Sequence, residues 1–284
     1  MASAARSRSS CTRCGVGSRG TATKRANIAL IALLAPPAIW LSSPLSAQTQ
    51  SQNSNQEIAP VSVPFVGCKS DGQGGPLDAP GGAVQSVQID SSAAQKLAYY
   101  KAENSTGVLA PRGWYCFGTY GSSGSSLFVT PQPINSDDLL SMNWAGIAGP
   151  GIQVQEISGD TSGRFQVASV IARVFPAHKA FADGVIKEGI EPASSFPFGP
   201  YPQDRLTYRS DQVVEFQTPA HSEGLGTVNQ LKQSDEPIDG AAILQGETPD
   251  LMLVAVRLPP EVNELTSQII QQVERESAAG APGK

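Results

Sequence analysis

Histidine is nearly absent: His178 and His221 are the two in 284 residues. A metal site built from several imidazoles within one chain is thereby excluded, and the H-E-x-x-H zinc signature is missing. Cysteine is scarce too, with four residues, which rules out a disulfide-dense scaffold. Cys11 and Cys14 form a C-x-x-C pair, yet no second pair accompanies them and no strand-helix context supports a zinc or redox reading. Nucleophile signatures are lacking as well. No serine stands three residues before a lysine beyond residue 47, and the nearest approach to G-x-S-x-G, Gly121-Ser122-Ser123-Gly124, has the wrong spacing. These absences leave no catalytic residue, metal or cofactor to assign from motifs.

Long apolar runs are also wanting. Ile28 to Leu41 is the strongest, but Pro36 and Pro37 interrupt it and it is short for a membrane span. Its surroundings predict an export signal over residues 1–47: six basic residues precede it (Arg6, Arg8, Arg13, Arg19, Lys24 and Arg25), and small residues from Ser43 to Ala47 follow. An uncleaved anchor is the alternative. With the leader removed, 14 basic residues face 25 acidic ones, a net charge of −11. Nucleic acid and an anionic membrane surface both need a basic patch, so neither is an expected partner. No stable membrane span is expected after processing. In an oxidising compartment the two remaining cysteines, Cys68 and Cys116, are expected to form one disulfide.

What is present is the alternation of a mixed fold. Residues 48–60 are polar and aperiodic and predict a flexible tether, followed by one globular α+β domain over 61–276 and a disordered tail over 277–284. The central feature is Val108 to Pro131, where Trp114 to Tyr120 and Leu127 to Val129 flank the turn residues Gly121 to Ser125. That is a β-hairpin signal, and its apolar character on both faces predicts an interior position in the sheet. Further strands are expected at Val61 to Val66, Val84 to Ile89, Ile152 to Ile157, Phe165 to Val174, Asp204 to Arg209, Gln212 to Gln217, Asp239 to Gln245 and Leu251 to Leu258. Ile152 to Ile157 and Phe165 to Val174 are expected to pair. Helices are expected at Ala93 to Glu103, Ser136 to Met142 and Pro176 to Glu188, with a last one beginning at Pro259-Pro260 and carrying Val262, Leu265, Ile269, Ile270 and Val273 in a stripe. The glycine-rich stretch Lys69 to Gly82 is expected to be a surface loop; Asp71 and Asp78 within it do not match a calcium-loop spacing.

One loop stands out. His221, Ser222 and Glu223 lie beside Gly224 and Gly226, and such glycines let a backbone approach a ligand closely. These five residues are the candidate ligand-binding set. Gly224-Leu225-Gly226 lacks the third glycine of a dinucleotide fingerprint. His178 falls on the apolar face of its helix, where a packed histidine is the expectation. The neighbouring carboxylates Asp137 and Asp138, and Asp235, Glu236 and Asp239, are too close in sequence to face each other across a glycosidase cleft.

Pro111-Arg112-Gly113-Trp114, leading into an antiparallel sheet with a late strand and closing helix, resembles the entry of the PsbP/Mog1-like group of small α+β domains. The resemblance spans Val108 to Glu276 in order of elements and implies no catalytic residue. In texture the chain is also similar to exported proteins of Gram-negative bacteria. The expected fold is α+β, an antiparallel sheet flanked by a few helices with a C-terminal helix packed on it. The expected function is that of an exported non-catalytic binding or assembly domain for a protein or small-molecule partner. A hydrolase using the His221 loop and a structural component of the cell envelope are the alternatives. If the leader is cleaved as read, the intact mass of the exported protein corresponds to a chain starting near Gln48; recovery of the full-length chain from the cytoplasm contradicts it.

Overall fold

The stretch Leu251 to Val256 is apolar at every position, and its surroundings explain why. In the computed structural model, which describes residues 59–141 and 144–280, it forms most of β12 (Asp250–Arg257), a strand buried on both faces. Successive strand side chains point to opposite faces. Accordingly Met252, Val254 and Val256 enter one core, while Leu251, Leu253 and Ala255 enter the other.

β12 sits inside an eight-stranded sheet with β2 (Ser70–Gly72), β6 (Tyr115–Gly121), β7 (Gly124–Thr130), β8 (Gly151–Ile157), β9 (Arg205–Tyr208), β10 (Val213–Thr218) and β11 (Ile238–Gln245). The order is β2-β6-β7-β8-β12-β11-β10-β9, antiparallel except where β2 runs parallel to β6. A second sheet of four strands combines β1 (Val61–Cys68), β3 (Val84–Val87), β4 (Leu97–Ala102) and β5 (Val108–Pro111) in the order β3-β1-β4-β5, with β1 parallel to β4. The small sheet and the C-terminal helix α5 (Thr266–Gly280) supply Leu97, Tyr100, Leu109, Ile269 and Val273 to the first core. Helices α3 (Arg164–Val174) and α4 (Lys179–Lys187) supply Val167, Ile171, Ala182 and Val185 to the second. The large sheet is thus the middle layer of three. Two short α-helices, α1 (Ser91–Lys96) and α2 (Ser136–Leu139), and four 3-10 turns complete the described elements. The α+β class, the mostly antiparallel pairing and the packed C-terminal helix are as expected. No helix among the described residues is long and apolar enough to cross a membrane.

Several expectations need correction. The stretch Phe165 to Val174 is helical, and the partners of β8 are β7 and β12. Val167, Ala168, Val170, Ile171, Ala172 and Val174 are the buried positions, spaced as the inner face of a helix, so the dense apolar pattern had hidden a 3.6-residue period. The helix expected over Ala93 to Glu103 stops at Lys96, and Leu97 to Ala102 forms β4. There Leu97, Ala98, Tyr99, Tyr100 and Ala102 are all buried between β1 and β5, and tertiary pairing overrides helix propensity. The Tyr100 hydroxyl donates to the Pro111 carbonyl at 2.8 Å and accepts from the Trp114 amide at 3.1 Å, locking β4 to the hairpin entry. The tail expected from Ser277 is helical as far as Gly280, with Ser277 only 5% exposed. The loop from Lys69 contains the short strand β2, so β6 is shielded from the sheet edge by three residues while β7 is fully interior. The expectations for residues 1–47 and for most of the tether fall outside the described residues.

The expected disulfide joins Cys68, at the end of β1, to Cys116 in β6, with Cα atoms 5.4 Å apart. It links the small sheet to the large one. Closing a loop of 48 positions stabilises the fold by roughly 4 kcal/mol on the chain-entropy account. Titration of the denatured, unreduced protein should find no free thiol beyond residue 47, and reduction should lower stability by about that amount in denaturant melts. Two reactive thiols per chain contradict the bond.

Candidate functional site

The His221 loop follows β10, and its backbone carries a feature that glycine would normally supply: His221 has φ of 57°, the left-handed region. The turn is held by the His221 amide donating to the Ser234 carbonyl at 3.0 Å. Its imidazole faces solvent. Nε2 lies 3.3 Å from an Asp235 carboxylate oxygen, and the two side chains are 71% and 94% exposed. Ser222 donates its hydroxyl to the Ala220 carbonyl at 3.3 Å, and no hydroxyl is hydrogen-bonded to the imidazole among the described residues.

Gly224 and Gly226 have a reason in packing. A Cβ on Gly224 would lie 1.9 Å from Asp204 Oδ1, and one on Gly226 would lie 2.7 Å from the Ile238 side chain. The half-buried Asp204 carboxylate organises this corner. It accepts from the Leu225 amide at 2.8 Å and from the Thr218 hydroxyl at 2.7 Å, while the Gly226 amide donates to Thr218 Oγ1 at 3.0 Å. Burial raises the Asp204 pKa above the usual carboxylate value, against those hydrogen bonds. The glycines therefore admit a carboxylate of the protein itself. Glu223 and Gly224 do line a shallow hollow of about 400 Å³ with Tyr201, Thr227, Val228, Lys232 and Gln233.

Val228 and Lys232 are shared with a larger cleft of about 650 Å³. It lies over β6, β7 and β8, on the sheet face that α3 and α4 cover farther along. Thr119, Ser126, Phe128, Gln153 and Gln155 form its floor; Gln166 of α3, Leu139 and Leu140 at the end of α2, and residues 228–230 with Lys232 form its walls. Ser126 of β7 and Gln153 of β8 are 8% and 2% exposed, unusual burial for polar side chains on strands whose other residues feed two cores.

The floor is a network of side-chain amides. Gln155 and Gln166 exchange hydrogen bonds at 3.2 and 3.5 Å, and Gln166 Nε2 also donates to Asn229 Oδ1 at 2.9 Å. Gln153 Oε1 accepts from the Gln230 amide at 3.0 Å. A primary amide has two N–H donors and one acceptor oxygen, so such a network has donors left over. Gln153 Nε2 and Asn229 Nδ2 have no protein partner among the described residues. Glu156 lies at the margin, where it accepts from the Thr106 amide at 3.0 Å and from the Thr106 hydroxyl; burial raises its pKa. Phe128 packs edge-on against Trp144 with centroids 6.2 Å apart, which stiffens the apolar part of the floor.

One buried cation holds the wall in place. Arg257, at the end of β12, is 1% exposed and donates to three backbone carbonyls: Gly149 at 2.8 Å, Lys232 at 2.6 Å and Ile147 at 2.6 Å. The two segments it gathers also bond directly, Ile147 N to the Gln230 carbonyl at 2.7 Å and Lys232 N to the Ile147 carbonyl at 2.9 Å. Lys232 Nζ then reaches the Asn229 carbonyl at 2.7 Å. Burial lowers the Arg257 pKa, but a guanidinium keeps its charge.

The structure thus places Glu223 and Gly224 beside the cleft and His221 on the surface, and it adds Gln153, Gln155, Gln166, Asn229 and Arg257, which the sequence reading did not select. A signal existed: glutamines at 153 and 155 alternate with Ile152 and Val154 in an apolar strand, which marks a polar patch on one face. Gln166 could not be added while its segment was read as a strand. No protein-family model, curated protein or solved structure matches this chain, so the PsbP/Mog1-like resemblance gains no support from comparison. Replacing the clamp by Arg257→Met should destabilise the fold by about 3 kcal/mol or more, since several charge-assisted hydrogen bonds vanish together. Arg257→Lys should recover part of this, because an ammonium cannot reproduce the planar fork. Denaturant melts measure both, and faster amide exchange at Ile147 and Lys232 in the Met variant checks the location.

Proposed function

We propose that this chain is an exported, non-catalytic binding domain whose ligand site is the cleft over β6, β7 and β8. The Cys68–Cys116 bond is consistent with an oxidising compartment, in agreement with the basic-apolar-small order of the leader. The observation that carries the reading is the chemistry of the floor. Buried amides and hydroxyls, fixed by one another and by α3, present hydrogen-bonding groups in a cavity of ligand size. Amides hold and orient a ligand; they do not ionise near neutral pH, as a general acid–base catalyst must. His221, on which the hydrolase alternative rests, lies exposed beside an exposed aspartate.

The reading is tested on the chain beginning at Gln48, assayed against ester, peptide and glycoside substrates and, in parallel, by thermal shift with small-molecule collections. No turnover is expected. A cleft ligand should raise stability by about 2.7 kcal/mol at a hundredfold excess over its Kd. That shift should disappear in Asn229→Trp, which fills the cleft from its wall. Turnover abolished by His221→Ala with the fold retained would establish the hydrolase instead, and a ligand shift that survives Asn229→Trp would move the site elsewhere.

A further inference from the structure

We infer that the cleft takes an uncharged, hydroxyl-rich ligand, a short segment of neutral glycan. This rests on the cleft being the ligand site and names the class of molecule that fits it. The amide groups left over at the cavity are neutral. Gln153 is 2% exposed, with its carbonyl oxygen committed to the Gln230 amide, and Asn229 has its oxygen committed to Gln166; among the described residues neither Gln153 Nε2 nor Asn229 Nδ2 has a partner. A ligand must therefore offer acceptors to two N–H groups on the floor and wall. Close by, the Ser126 and Thr119 side chains line the same cavity. Hydroxyl groups accept and donate through one atom, so a polyol matches mixed amide and hydroxyl surroundings without leaving a buried group unpaired.

Charge points the same way. The nearest cation, Lys232, is turned to the Asn229 carbonyl, and the nearest carboxylate, Glu156, is turned to Thr106. Neither is aimed at a ligand as the partner of a carboxylate, phosphate or ammonium.

Topology disfavours a peptide strand. Peptides that add to sheets use the free N–H and C=O groups of an edge strand. Here β6 is paired with β2 and β7, β7 with β6 and β8, and β8 with β7 and β12. The floor's backbone is already committed, and the cavity meets its ligand through side chains alone. Leu140 and Val228, 56% and 37% exposed, give an apolar surface for the C–H face of a sugar ring.

The experiment uses the chain from Gln48 with maltotriose, cellotriose, laminaritriose and tri-N-acetylchitotriose as probes. A uronic-acid trisaccharide and neutral glycine-serine tetrapeptides are the competing classes. Binding is read by calorimetry and ligand-observed NMR at low and high salt. At least one neutral trisaccharide should bind, equally at both salt concentrations, since no ion pair contributes. Gln153→Ala and Asn229→Ala should each weaken it about tenfold. Gln153 is buried, so its variant counts once its melting curve matches the parent's; Asn229, on a loop, supplies the same reading with less risk to the fold. Binding confined to the tetrapeptides, or to the uronic acid with salt dependence, and weakened by either variant overturns the neutral-glycan class while leaving the cleft as the binding site. Binding that neither variant changes overturns both. No binding by any probe overturns the glycan inference.

Discussion

The large sheet has no solvent face along its middle. With β12 covered by the small sheet and α5 on one side and by α3 on the other, each residue from Leu251 to Val256 must be apolar. Truncating any of the larger ones would open a cavity at a cost of about 2–5 kcal/mol. This constraint also gives meaning to exceptions. In a layer covered on both faces, a buried glutamine is expensive unless it is bonded, so Gln153 and Gln155 mark the end of the helical cover and the beginning of a surface with another purpose.

Arg257 shows how that surface is kept in shape. A buried guanidinium usually meets a carboxylate; this one meets three carbonyl dipoles drawn from two separate loops. The charge is solvated by backbone, and the loops are ordered by the same bonds. Because the side chain grows from the end of the sheet's best-buried strand, the wall carrying Asn229 and Gln230 inherits the rigidity of the core. Pre-organised donors of this kind lower the ordering cost of binding.

How much was legible in the sequence follows the range of the interactions responsible. The hairpin, β10 to β12 and the closing helix were visible because their alternation, turn residues and apolar stripe are local. The disulfide was visible by elimination and compartment. Phe165 to Val174 and Leu97 to Ala102 were misread in opposite directions, since one is so apolar that its period is obscured and the other takes its state from two neighbouring strands. The His221 loop drew attention through its glycines. Their cause, the Asp204 carboxylate and Ile238, is reached across the fold and leaves no local mark. The cleft was invisible for the same reason, as its amides come from β8, α3 and a loop that meet only in three dimensions.

The pairing of β8 with β12 has a kinetic side. Ile157 lies opposite Leu251 and Gly151 opposite Arg257, so the strands at the centre of the sheet are separated by 94 to 106 positions along the chain. Between them come two helices and three strands that depend on the same sheet for burial. The loop-closure entropy of that contact has to be met before the largest apolar surfaces are covered, which places this domain among slow folders. A sheet whose central seam joins its most widely separated paired strands remains open until its last strand has arrived, and the time this takes is set by topology.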